Sequence, residues 1–285
     1  HDALPIWAGA IVVLSATTGL AAGAGRAIIM RELILAVQFL TRLPTPQLRT
    51  FDPAWLAGCG RWFAPVGALI GSLLLGLWWP LAQLDPWLAA IVTLLAWVWI
   101  TGALHLDGLA DLADGLGAAH RDPARFLAVL KDPHVGSFGV TALGLALLVK
   151  LVGLMLAARH GLSPWALVLI PAWARFGALW WSVSLPSLAS GGQAERFAWR
   201  SGPVLLWLSL AVLLAASLVL AAWLALAGPV LLWLWRRFLA RRLGGVTGDC
   251  LGAGIEWLEC TALLLGSLCA LTSGPLWLQY GWRQY

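Results

Sequence analysis

Apolar residues in this chain come in long unbroken blocks, and polar residues gather in short clusters between them. Several blocks approach or exceed the roughly 20 residues that a helix needs to cross a bilayer. The pattern predicts an all-α fold, a polytopic integral membrane helix bundle of about seven or eight transmembrane helices plus short interfacial or re-entrant ones. Residues 3–24 form the first block, readable as a span or as a signal-like segment. Residues 33–43 are apolar but short, and read as an interfacial or re-entrant helix ended by Pro44 and Pro46. Spans are predicted over 63–80, 87–104, 138–158 and 164–185, the first carrying Gly67, Gly71 and Gly76 for close helix packing. The block from Pro203 to Trp235 is too long for one helix, and Gly228-Pro229 is the predicted break. A last apolar segment covers 256–271. The predicted organisation is an apolar extension or extra span over residues 1–29 and a single membrane-embedded catalytic domain over 30–285.

Composition agrees with this class. The chain is 61% hydrophobic and 11% charged, whereas a soluble domain carries about 25% charged residues. Its 20 tryptophans suit interfacial belts as well as helix packing. Cys59, Cys250, Cys260 and Cys269 form no C-x-x-C pair and match no zinc spacing, so they read as small packing residues. The net charge of +5 signals topology here, with the lipid bilayer as partner and no nucleic acid. If 33–43 does not span, Arg26, Arg31, Arg42, Arg49, Arg61, Arg121, Arg125, Lys131, Arg196, Arg200, Arg236, Arg237, Arg241 and Arg242 all fall on one side. Only Arg159 and Arg283 fall opposite, with Lys150 and Arg175 inside spans. The positive-inside rule makes the richer side cytoplasmic.

Three polar clusters fall on that side. The first is T-G-A-L-H-L-D-G-L-A-D-L-A-D-G-L-G, residues 101–117. As a helix it places Asp107, Asp111 and Asp114 within an arc of about 60°. At ~6 Å and an effective dielectric of ~20, each like-charge pair costs about 3 kcal/mol. Such a face persists when a cation neutralises it, when it titrates, or when water screens it, and carboxylates suit a hard divalent cation such as Mg²⁺. The second cluster is K-D-P-H-V-G-S-F-G, residues 131–139. Lys131, Asp132, His134 and Ser137 precede a helix, and a helix N-terminus with Gly and Ser is a natural phosphate seat. Asp132 as a turn residue and His134 as a surface histidine is the plainer alternative. The third is G-G-V-T-G-D-C-L-G, residues 244–252, where Gly244, Gly245, Thr247 and Asp249 can form an anion nest or part of a metal shell, or simply a loop between helices. Glu256 is a possible further carboxylate. Arg175 needs an acidic or phosphate partner inside its span, and Lys150 can snorkel.

On these residues the chain resembles the cobalamin synthase family, the adenosylcobinamide-GDP ribazoletransferases. The matching pieces are Q-F-L-T-R-L-P (38–44), T-G-A-L-H-L-D-G-L-A-D-L-A-D-G (101–115), K-D-P-H-V-G-S-F-G (131–139) and G-G-V-T-G-D-C-L-G-A (244–253). Residues 1–29 lie outside the resemblance. It implies a Mg²⁺-dependent enzyme of the bacterial inner membrane, with its site facing the cytoplasm. Such an enzyme joins adenosylcobinamide-GDP to α-ribazole, or to its 5′-phosphate, and releases GMP in the last assembly step of cobalamin. By that resemblance Asp107, Asp111, Asp114 and Asp249 serve the metal, and one of the first three, or Asp132, takes the hydroxyl proton. Lys131, His134, Ser137, Gly244, Gly245, Thr247 and Arg175 serve substrate phosphates. A homo-oligomer, or a complex with other cobalamin-assembly enzymes, is compatible with it. Two other readings stand beside it. A CDP-alcohol phosphatidyltransferase would share the opening Asp111-x-x-Asp114-Gly115, but residues 118 and 119 are Ala-Ala and no G-x-x-x-D-x-x-x-D follows nearby. A transporter would favour internal symmetry between halves, which the chain lacks.

Overall fold

The computed structural model describes residues 28–46, 55–119, 122–130, 132, 134–188 and 202–273. Its helices are α1 (residues 28–40), α2 (Leu56–Cys59) with a 3-10 turn at Gly60–Trp62, α3 (Phe63–Ala82), α4 (Pro86–Thr101), α5 (Leu104–Ala118), α6 (Pro123–Val129), α7 (Ser137–His160), α8 (Ala166–Ser184), α9 (Pro203–Leu220), α10 (Trp223–Arg242) and α11 (Gly248–Ser273). The only strand-like pairing among the described residues is an isolated parallel bridge between Ser187 and Val246. The protein is an all-α, multi-pass membrane protein.

The centre is α8, which is buried along most of its length. Its largest neighbour is α3, and small residues explain the fit. A Cβ on Gly67 would collide with the backbone of Pro171 and Ala172, and one on Gly71 with that of Leu167 and Val168. Gly76, also read as a packing glycine, has no neighbour within 4 Å. On the other flank α11 packs against α5, α7 and α8, while α4 bridges α3 and α7. Indole N–H groups pin the layers: Trp173 Nε1 donates to Ser217 Oγ at 2.9 Å and Trp181 Nε1 to the Leu232 carbonyl at 3.0 Å. At one end of the bundle Asp85 caps α4, its Oδ1 accepting from Leu88 N at 2.8 Å, with Pro86 in the first helical turn. Asp85 and Arg159 share a surface depression there. Trp79, Trp87 and Trp165 are exposed near the same end, as a headgroup-level aromatic belt requires.

Four helices among the described residues are long and apolar enough to cross a membrane, and α4 with α5 makes a fifth if that bent pair counts as one span. This count covers the described residues only, and it differs from the predicted seven or eight for identifiable reasons. Residues 3–24 lie outside the described residues. Block 87–104 ends early: α4 has 16 residues, about 24 Å of helix, and α5 leaves it at 85°. The block from Pro203 breaks at Ala221–Ala222, not at Gly228-Pro229. Ser163 Oγ donates to the Leu220 carbonyl at that break, at 2.7 Å. Gly228 instead sits inside α10, where a Cβ would strike the Trp173 indole. The cysteines are free thiols; Cys59, Cys250 and Cys260 are buried, as the packing role requires, and Cys269 is exposed. The short apolar segment after residue 30 is a helix over 28–40, held to the bundle by Glu32–Arg61 at 2.8 Å and by Phe39 stacked on Phe63.

Candidate active site

The site begins at the elbow between α4 and α5. Gly102 and Ala103 both adopt left-handed backbone, with φ of 62° and 59°. Glycine takes this freely, and the Arg42 side chain lies where a Cβ at Gly102 would go. Ala103 holds a conformation that L-residues rarely adopt, a local strain fixed by its surroundings. Arg42 N donates to the Ile100 carbonyl at 2.7 Å and Thr101 Oγ1 to the Trp97 carbonyl at 3.0 Å, which anchors the turn. The acidic segment is therefore its own helix, only 15 residues long and not one of the four spanning helices.

As predicted, Asp107, Asp111 and Asp114 all lie on this helix, but in different environments: exposed, half-buried and buried. Their neighbour is the start of α11. A Cβ on Gly108 would lie 3.0 Å from the Asp249 carbonyl oxygen and 3.4 Å from Gly252 Cα, so two glycines let the backbones touch. That crossing places Asp249 and Asp107 on the walls of one cleft of about 90 Å³, together with Phe39, Phe63 and His105. Burial, and then the charges of Asp107, Asp249 and Asp114, push the Asp111 carboxyl up to about 6. The four carboxylates thus share one electrostatic field. The donor set is anionic and all-oxygen, which fits a hard divalent cation. Among the described residues no three such side chains close around a single point. Mg²⁺ does not require that, since it takes one or two carboxylates and completes its shell with water and substrate phosphate.

Asp114 has a further attachment. Its Oδ2 accepts from Gly136 N at 2.7 Å and its Oδ1 from Gly139 N at 2.9 Å. The first turn of α7, read from sequence as a phosphate seat, is occupied by this carboxylate, a favourable place for an anion. A Cβ at Gly136 or Gly139 would collide with Asp114, so the glycines of the second cluster admit it.

Of that cluster's other described polar residues, Asp132, His134 and Ser137 are all exposed. Asp132 and His134 are exposed and paired, Nδ1 to Oδ1 at 2.7 Å, with His134 N also donating to Oδ1 at 3.0 Å. These bonds from His134 hold the Asp132 carboxyl below its usual range. Ser137 is exposed at the start of α7. Lys131 lies outside the described residues. In the third cluster the residues divide. Gly244 takes φ 76°, and Gly245 is buried where a Cβ would meet the Pro186 carbonyl and Leu188. Val246 N donates to the Pro186 carbonyl at 2.9 Å, and Leu188 N to the Val246 carbonyl at 3.0 Å. Thr247 caps α11, its Oγ1 accepting from Cys250 N at 3.3 Å. Of the four candidates in this cluster, Asp249 lines the cleft, beside Gly248, Leu251 and Gly252, and Gly244, Gly245 and Thr247 do not.

Arg175 sits away from solvent and forms an ion pair with Glu259. Lys150 does not snorkel: it is 2% exposed, and its Nζ lies 2.7 Å from Glu256 Oε2 and 2.6 Å from Glu259 Oε2. The same Nζ stands 4.4 Å from the centre of the Trp97 ring. Glu256 is therefore bound within this network. Two acids and two bases balance inside the bundle, on three different helices. His105 joins them to the cleft, its Nδ1 3.5 Å from Arg175 Nη2. Sequence reading passed over His105, although it lies inside the most specific motif, one helical turn before Leu109 and two residues before Asp107.

The described residues form an all-α membrane bundle in which α5 and α11 wall a carboxylate-bearing cleft. Residues 32–267 match the family described as cobalamin-5-phosphate synthase, and the chain belongs to that family. It is 69% identical over 236 residues to an adenosylcobinamide-GDP ribazoletransferase of Laribacter hongkongensis, covering 83% of this chain and 96% of the relative. Relatives of the same name from Thiobacillus denitrificans and Brevibacillus brevis are 52% and 38% identical, covering 86% and 83% of this chain and 98% and 97% of theirs. No solved structure matches the chain.

Proposed function

We infer that this protein is a membrane transferase that joins adenosylcobinamide-GDP to α-ribazole or α-ribazole 5′-phosphate, giving adenosylcobalamin or its 5′-phosphate and GMP. The carrying observation is the family match over most of the chain, together with the cleft where Asp107 and Asp249 face each other from α5 and α11. In this reaction a ribazole hydroxyl oxygen attacks the cobinamide-linked phosphorus. The bond from that phosphorus to the bridging oxygen breaks, and GMP leaves with the oxygen. The hydroxyl proton passes to a carboxylate. Positioning and charge neutralisation do most of the catalytic work in such transfers.

Asp107, Asp111 and Asp249 are the residues that would hold Mg²⁺, which when bound neutralises the pyrophosphate oxygens. Asp114, with its oxygens bonded to Gly136 N and Gly139 N, fixes the start of α7 against the same helix. His134 and Ser137 then stand exposed near the carboxylates, available to the nucleotide, and Lys131 belongs to the same segment. Asp132 is the weaker base because His134 stabilises its anion. The site faces the cytoplasm of the bacterial inner membrane, a placement supported by the arginine distribution.

The test is turnover by the full chain in nanodiscs, with adenosylcobinamide-GDP and α-ribazole. GMP and corrinoid product should appear in equal amounts and depend on Mg²⁺. CMP release from a CDP-alcohol donor, with no corrinoid product under any divalent cation, would overturn the assignment.

A further inference from the structure

His105 is 3% exposed and lines the cleft beside Asp107 and Asp249. Its two ring nitrogens have different surroundings. Nδ1 faces Arg175 Nη2 at 3.5 Å. A guanidinium only donates hydrogen bonds, so Nδ1 is the accepting nitrogen, and the proton of the neutral ring sits on Nε2. Nε2 is buried and has no hydrogen-bond partner among the described residues. A buried N–H without a partner costs more than an exposed one, and at a residue lining the cleft a ligand oxygen would satisfy it.

The guanidinium is itself held. Glu259 binds Arg175 through one oxygen and Lys150 through the other, and Lys150 reaches on to Glu256. Close helix packing holds the residue's backbone, since a Cβ at Gly252 would lie 3.5 Å from His105 Cα. The imidazole is thereby pre-set in one tautomer and one place, as a donor to an oxygen of developing charge must be.

We propose that His105 donates its Nε2–H to a non-bridging oxygen of the pyrophosphate in this cleft, and that Arg175, braced by Glu259, is a positioning residue that selects the tautomer. This rests on the ribazoletransferase reading above. No covalent change at the imidazole is involved: it donates a hydrogen bond while the P–O bond to GMP breaks.

The experiment measures GMP release from adenosylcobinamide-GDP and α-ribazole by the full chain in nanodiscs. His105→Phe keeps a ring and removes the N–H. It should lower kcat about 100- to 1,000-fold, the loss typical of one such donor, with little change in KM. In His105→Gln the amide nitrogen reaches the place of Nε2, and kcat should recover to within about tenfold of wild type. In His105→Asn the amide reaches only the place of Nδ1, and activity should stay as low as in the Phe variant. A purely structural role would not separate Gln from Asn in this order. Wild-type kcat in His105→Phe, or Gln no better than Asn, would overturn the proposal.

If the Phe variant does not fold, ¹⁵N-histidine NMR of the wild-type protein decides. Nε2 should carry the proton and shift on adding adenosylcobinamide-GDP. A Nδ1–H tautomer, or no shift at saturation, overturns the assignment. Absence of GMP release by the wild type would instead remove the parent reading, and that arm contains no variant.

Discussion

Asp111 and Asp114 are one helical turn apart, and opposite consequences are expected from the same substitution. In Asp114→Asn one oxygen remains to accept from Gly136 N or Gly139 N, and an amide NH₂ faces the other donor. The variant loses one charge-assisted hydrogen bond, about 1.5–3 kcal/mol. It also loses the attraction of an anion for the helix N-terminus, about 0.3–1 kcal/mol. The sum is about 2–4 kcal/mol, which at ~2–4 °C per kcal/mol lowers the melting temperature by roughly 5–15 °C. Asp111 has no comparable partner among the described residues, and burial and neighbouring anions raise its pKa. Asp111→Asn removes repulsion, so its melting temperature should equal or exceed that of wild type while GMP release is lost. The assay is thermal unfolding in detergent followed by tryptophan near-UV dichroism, paired with amide exchange at Gly136 and Gly139. If Asp114→Asn melted within about 1 °C of wild type and both amides stayed protected, the bonds from α5 to α7 would not hold that corner, and the reasoning would fail.

Gly67→Ala should cost about 1–3 kcal/mol by forcing α3 away from α8, read as a lower melting temperature with the cleft residues untouched. Lys150→Met leaves two buried carboxylates without one of their cations and should cost about 3–5 kcal/mol. The double variant Lys150→Met/Glu256→Met keeps Arg175 paired with Glu259 and should be more stable than the single one; a double variant less stable than Lys150→Met would show that the charges do not compensate each other. EDTA should abolish GMP release and Mg²⁺ restore it; unchanged turnover in EDTA would remove the metal from the cleft.

The helices were legible because bilayer-length apolar blocks leave the backbone no alternative way to satisfy its hydrogen bonds. The acidic helix was legible from its own spacing. What escaped was long-range pairing. Nothing at Asp114 announces that its partners lie 22 and 25 residues away, and Lys150 and Glu259 are separated by 109 residues. Asp114 therefore read as equivalent to Asp107 and Asp111, and Lys150 as a snorkelling side chain. The α4–α5 elbow was hidden for a local reason. Gly102 permits a left-handed residue, but Ala103 gives no sign of one, so the apolar block seemed to run on to Leu104. His105 escaped because a buried histidine gains meaning only when its neighbours are known.

The buried charges also set an order of assembly. Lys150 on α7 and Arg175 on α8 are synthesised well before Glu256 and Glu259 on α11. Until the last described helix arrives, two cations inside the bundle have neither carboxylate, and intramembrane charge without a partner is costly. Insertion of α11 neutralises both cations, and the same helix brings Asp249 to the cleft. Closure of the described bundle and completion of the cleft are then a single event: a nascent chain still lacking α11 carries the aspartates of α5 without the facing wall that holds Asp249.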